Sequence, residues 1–128
     1  MSATSLPRAV AARYKATQVA TCSPGELLLL LMDGSLRFAA EADQAMALGD
    51  RARAGNRIGR CHAILESPSA GLDPTDTTGL CANLTALYAF CMSRLLEANI
   101  AQDRSMLAEV PKVIRPVRDG VAQVLGKP

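Results

Sequence analysis

Apolar residues recur along this chain at steps of three, four and seven, the repeat of helices that each turn one face toward a core. The first stretch opens at Ser23-Pro24-Gly25-Glu26. A serine hydroxyl accepts an orphan N–H of a first helical turn, proline suits the first helical position, and a glutamate three residues after the cap reaches back to it. A helix is therefore predicted from this cap to about residue 48, where Gly49-Asp50 ends it. Leu27, Leu31, Phe38, Ala42, Ala45 and Met46 form one apolar stripe, and Leu28, Met32, Leu36 and Ala39 a second beside it. A face this wide needs two neighbours, or one neighbour and a ligand.

A second helix is predicted over about 50–66, with Ala54, Ile58, Cys61 and Leu65 as its inner stripe. Arg53, Arg57 and Arg60 line another face, read as solvated. Gly55 and Gly59 each weaken the helix by about 1 kcal/mol relative to alanine, and they give a neighbouring helix room. Ser67-Pro68 stops it. A third helix is predicted over about 76–101, on the seam Leu80, Leu84, Leu87, Cys91, Leu95, Ala98, with Tyr88, Met92 and Leu96 flanking. Asp103 reads as the N-cap of a fourth, whose seam is Met106, Val110, Val113, Val117, Val121, Val124. Pro111 and Pro116 lie inside it and are expected to kink or break it. The first two helices are joined by a short connection, as are the last two, so each pair runs antiparallel. The fold expected is an all-α, antiparallel up-and-down four-helix bundle over 21–128, preceded by a short flexible arm, 1–20.

Composition sharpens this picture by exclusion. In 128 residues, 49% are apolar and 20% charged, enough for a folded core. Lys plus Arg number 14 against 12 acids, and aromatics make up 3%, so neither a basic groove nor a stacking platform for nucleic acid is expected. The longest apolar run, Leu27 to Met32, falls far short of the roughly 20 residues of a membrane span. No membrane insertion is expected, and the cytoplasm is the expected location. Cys22, Cys61, Cys81 and Cys91 read as reduced thiols on helices, with no metal site. No phosphate loop, nucleophile elbow or Glu-x-x-His pair is present, so no catalytic residue, cofactor or enzyme activity is expected. His62 invites comparison with histidine phosphotransfer domains, but Leu65 and Glu66 stand where those carry Lys and Gly. A helical adaptor or scaffold is the other alternative.

Three segments, taken in order, resemble the flagellin-specific export chaperones of the FliS family. The first is Tyr14, then Val19 to Leu27, leading to Leu31-Met32-Asp33-Gly34-Ser35-Leu36-Arg37-Phe38. The second is Gly71-Leu72-Asp73. The third runs from Ala82 to Met92, then Arg94 to Asn99, and on to Asp103 with Leu107-Ala108-Glu109-Val110. The departures are Met32 and Phe90, where the family favours Tyr, and Arg118-Asp119-Gly120-Val121, where it tends to have Asp-Ala-Trp. The resemblance implies a cytosolic, non-catalytic chaperone. It would bind the C-terminal helical segment of flagellin, prevent premature polymerisation, and hand the client to the flagellar type III export apparatus. It points to the region of Tyr14 as part of the contact. On the bundle itself, the stripes beyond the seams offer Leu28, Met32, Leu36, Tyr88 and Met92 as an apolar groove along the first and third helices. Arg37, Asn83, Arg94 and Asn99 are expected at its rim or bridging helices inside.

Overall fold

A computed structural model describes residues 23–67 and 79–128. They form four helices: α1, Pro24–Ala47; α2, Arg51–Glu66; α3, Leu80–Ala101; and α4, Arg104–Val124. The helices stand in a ring. α1 packs against α2 and α4, α3 packs against the same two, and α1 and α3 lie diagonally opposite. This is the expected up-and-down bundle. The arm, 1–20, and the start of the third helix at 76–78 lie outside the described residues.

The helix ends follow from their capping chemistry. The Ser23 hydroxyl accepts the Glu26 N–H at 3.1 Å, with Pro24 in the first turn. At the other end of α1, Gly49 takes φ +73°, a conformation that costs a side-chain-bearing residue. There the Gly49 N–H bonds to the Met46 carbonyl and the Asp50 N–H to the Ala45 carbonyl, which closes the helix in a Schellman turn. The Asp50 carboxylate then accepts the Arg53 N–H at 3.1 Å and opens α2. The α3–α4 turn repeats the device. Gln102 takes the left-handed conformation, the Asp103 N–H reaches the Ala98 carbonyl, and the Asp103 carboxylate accepts from the Ser105 and Met106 N–H groups. One aspartate per turn thus ends one helix and begins the next. Among the described residues α3 begins at Leu80, directly after Gly79 in the left-handed conformation (φ +85°).

The core departs from the predicted seams in a systematic way. On α1 the buried line is Leu28, Met32, Ser35, Ala39 and Ala42, while Leu31, Phe38 and Met46 are only partly buried against it. The second predicted stripe is therefore buried in the core, together with Ala42 and Ala45 of the first. On α3 Tyr88 is buried and Leu80 exposed. On α4 Val110 of the predicted seam is buried, and Met106, Val113, Val117 and Val121 pack partly buried against the core; the other buried residues, Leu107, Ile114 and Ala122, lie one position round from that seam, and Val124 is exposed.

α4 runs unbroken through Pro111 and Pro116. Each proline removes one backbone hydrogen bond, but its fixed φ is a helical one. Packed residues on both sides of the prolines hold the helix on the bundle. Pro116 itself is exposed. Arg118 adds an anchor, bonding to Asp33 of α1 at 2.7 Å. A Cβ at Gly55 would meet Asn99 of α3 at 3.6 Å, an ordinary contact, and one at Gly59 would meet nothing within 4 Å, so neither glycine is required for a neighbouring helix to approach.

Candidate functional site

The eight residues expected to bind a partner do not form one surface. Tyr14 lies outside the described residues. Leu28, Met32, Leu36 and Tyr88 all belong to the core cluster, and Met32 keeps only 1% of its surface. These four side chains do not form a groove free of the core: α1 has neighbours on both sides, α2 and α4, and the stripe that carries Leu28, Met32 and Leu36 is buried in the core cluster. No groove between α1 and α3 exists, since these helices are diagonal. Met92 is half-buried at the core's edge. Arg37 is exposed and stacks on Phe38, 5.0 Å from the ring centroid, with Arg60 of α2 at 5.8 Å over the same ring. Asn83 is exposed in the first turn of α3.

The polar residues expected at a rim divide between two roles. Arg94 ties α3 to itself and to α4, through Glu97 at 3.2 Å and Glu109 at 3.8 Å. Asn99 is structural: its side-chain and main-chain oxygens accept from the Gln102 amide, and it fills the space beside Gly55.

A different surface emerges on the outer side of α3. Ala82, Ala86, Ala89, Ser93, Leu96 and Ile100 are all exposed. They are spaced four, three, four, three and four residues apart, so they share one face. This outer seam is diametrically opposed to the buried line Leu84, Tyr88, Cys91, Leu95, Ala98. Leu96 is 51% exposed and Ile100 81%, with Phe90 at the flank. From Leu80 to Ala101 the only charged residues are Arg94 and Glu97, and these pair with each other. A helix that is apolar all round implies cover on both sides, and among the described residues only one side is covered. The missed signal was legible: a second line with heptad spacing runs through the same segment.

A shallower trough lies between α1 and α4. Its floor is Leu36, Ala39 and Leu107, and Asp43, Pro111 and Arg115 rim a volume of about 240 Å³. It continues over Lys112, Pro116 and Asp119 on the outer side of α4.

Among the described residues no group of three or more His, Cys, Asp or Glu side chains is placed to hold a metal ion. No helix there is long and apolar enough to cross a membrane. His62 is half-buried with the Glu66 carboxylate 3.6 Å from its Nδ1, a neighbour that would repel a phosphoryl group. Cys61 and Cys91 are fully buried, and burial pushes their thiols up to about 12 and about 11, the values of unreactive groups.

The sequence profile of the family described as flagellar protein FliS matches residues 7–128. The chain is 33% identical over 112 residues to the flagellar secretion chaperone FliS of Bacillus subtilis (strain 168), covering 88% of this chain and 83% of that protein. It is 35% identical over 103 residues to the flagellar secretion chaperone FliSB of Pseudomonas aeruginosa, covering 80% and 82%. The flagellar secretion chaperone FliS of Vibrio cholerae is 28% identical over 108 residues, covering 84% and 79%.

Proposed function

The chain belongs to the FliS family, and from that premise we propose that it is a flagellar export chaperone whose client, the C-terminal helical segment of flagellin, docks on the outer seam of α3. The observation that carries the docking site is the uncovered apolar line from Ala82 to Ile100. A flagellin tail assembles through an apolar stripe, and a free tail exposes that stripe to water. An amphipathic helix laid on α3 buries both stripes at once, the helix-in-groove mode of recognition. The seam is uncharged, so docking desolvates no unpaired ion. Met92 and Asn83 flank it, the family resemblance is what supports the region of Tyr14 as a further part of the contact, and Arg37, on the helix diagonally opposite, lies away from this face. Covering the tail prevents premature polymerisation, and the ordering cost paid by a segment that folds on binding keeps release feasible at the type III export apparatus. The role is non-catalytic and is exercised in the cytoplasm.

The test is direct. The purified protein is mixed with full-length flagellin and with flagellin lacking its C-terminal helical segment. Co-elution with the first only, and suppression of filament growth measured by light scattering, are expected. Equal binding to both forms would overturn the reading.

A further inference from the structure

We propose that the valley between α1 and α2 is a docking surface for an acidic amphipathic helix of a partner protein other than the client. Four arginines border it. Arg53, Arg57 and Arg60 are spaced four and three residues apart, so they share one flank of α2. Two contacts turn that flank toward α1: the Arg57 Nε stands 3.3 Å from the Glu41 carboxylate, and the Arg60 guanidinium 5.8 Å from the centroid of the Phe38 ring. Arg37 reaches the same ring from its own helix, at 5.0 Å. Glu41 offsets one of the four charges, and Asp50, at the end of the line, is engaged as the cap of α2. Among the described residues no carboxylate lies within ion-pair distance of Arg37, Arg53 or Arg60. Like charges pooled on one strip repel one another, and an anionic occupant relieves that repulsion.

The other wall of the valley fits an occupant that is also apolar. Leu30, Arg37, Glu41, Gln44 and Leu48 follow at steps of seven, four, three and four, so they form one outer line on α1. Leu30 is 50% exposed at one end and Leu48 73% exposed at the other, and the half-buried Phe38 lies between them on the side of α2. The two leucines are about 27 Å apart along the helix, the length of about five turns. A helix with large apolar side chains toward α1 and carboxylates toward α2 meets both features. Carboxylates at alternating steps of three and four repeat the spacing of Arg53, Arg57 and Arg60. The cations are all arginine, whose planar fork pairs with a carboxylate through two parallel hydrogen bonds.

A narrow occupant is favoured over a flat anionic surface. Glu41 sits inside the line, and Asp33 and Asp43 hold the other flank of α1, bonded to Arg118 and Arg104 of α4. A lipid bilayer would meet these carboxylates along with the arginines, whereas a single helix about 10 Å wide meets the arginines alone. The valley is carried by α1 and α2, and α1 is diagonal to α3, so it lies apart from the outer seam of α3. Client and acidic partner therefore occupy the protein together. That simultaneity rests on the docking site proposed above; the acidic docking surface stands on the α1–α2 geometry alone.

Fluorescence anisotropy on the full chain tests it. The probe is a labelled, designed helix of about 18 residues, with leucine on one face and glutamate at alternating steps of three and four beside it. The same peptide with glutamine for glutamate is the control. The glutamate peptide is expected to bind about tenfold or more tighter than the control, and to weaken as salt rises from about 50 to about 500 mM. Arg37→Gln/Arg60→Gln weakens it by about tenfold or more, whereas Lys112→Gln/Arg115→Gln, which removes the same charge from α4, changes it by less than about twofold. All four side chains are exposed, and thermal melting checks that each variant is intact. Equal binding of the two peptides, or equal loss in the two variants, overturns the proposal. So does capture by anionic phospholipid vesicles that depends on Arg37 and Arg60 while the glutamate peptide stays unbound. With a flagellin C-terminal segment bound first, unchanged affinity for the glutamate peptide supports simultaneous occupancy, and lost affinity ends it. Leu96→Glu separates the two readings: it is expected to weaken the client and spare the glutamate peptide. A client unaffected by Leu96→Glu ends the docking site on α3 and not the one on α1 and α2.

Discussion

The Cys61 thiol on α2 donates across the helix interface to the main-chain carbonyl of Ser35 on α1, at 3.4 Å. Both residues are fully buried, and the Ser35 hydroxyl is itself turned back onto the Met32 carbonyl at 2.8 Å. A polar residue in the middle of the α1 core line is thereby satisfied within its own helix. Its small size lets α2 come close, as Gly34 does one residue earlier, where Ile64 would lie 3.2 Å from an added Cβ.

This burial makes stability fall at alkaline pH. Burial, with a smaller contribution from Cys91, raises the Cys61 thiol from 9.0 to about 12; burial alone raises Cys91 to about 11; Tyr88 rises to about 12, again mainly through burial. Above pH 9 the unfolded chain releases thiol protons that the folded chain keeps. Stability is thus fully present below pH 9 and declines as pH climbs toward 11 and 12, by up to about 1.4 kcal/mol per pH unit for each thiol. Chemical denaturation between pH 8 and 10.5 checks this. A midpoint as flat as that of a Cys61→Ala/Cys91→Ala variant would contradict it.

Met32→Asp should unfold the bundle or cost several kcal/mol, because a carboxylate would replace a side chain with 1% exposure in the centre of the core. Circular dichroism and thermal melting decide the matter. Near-native melting would return Met32 to the surface.

Two glycines should respond to alanine with opposite signs. Gly49→Ala forces a side chain into φ +73° and should cost about 1 kcal/mol. Gly59→Ala adds a methyl to an open helical position and should stabilise by about 1 kcal/mol. Urea midpoints of the two variants, moving in the same direction, would refute the assignment of these helix geometries.

Loss of the Ser23 cap should cost about 1 kcal/mol in Ser23→Ala, read from the denaturant midpoint. An unchanged midpoint would mean that the first turn of α1 is held by other contacts.

Helix number, order and most ends were legible from the chain because caps are local chemistry: Ser23 with Pro24, Gly49 with Asp50, and Asp103 act within five residues of themselves. Which stripe faces inward was less legible, and for a physical reason. Residues 27–32 are apolar without interruption, so periodicity alone cannot orient α1; the ring of neighbours does, and it chose Leu28 and Met32 over Leu27 and Leu31. The valine seam of α4 was legible in part: Val110 is buried, but Leu107 and Ile114 sit one position round. The helix continues through Pro111 and Pro116 without a break, because packed residues on both sides of the prolines hold the two halves of α4 on the bundle. The outer seam of α3 was hidden in plain sight: alanines were counted as helix formers and not as a surface.

The measurement that tests the central claim most directly is calorimetric titration of a flagellin C-terminal segment into the Leu96→Glu and Ile100→Glu variants. Both side chains are exposed, so both variants should melt like the original protein. A carboxylate on the seam must be desolvated when the client helix docks, and affinity should fall by about 100-fold or more in each. Folded variants that bind the segment with the original affinity would contradict the assignment of the α3 outer seam as the client's docking surface.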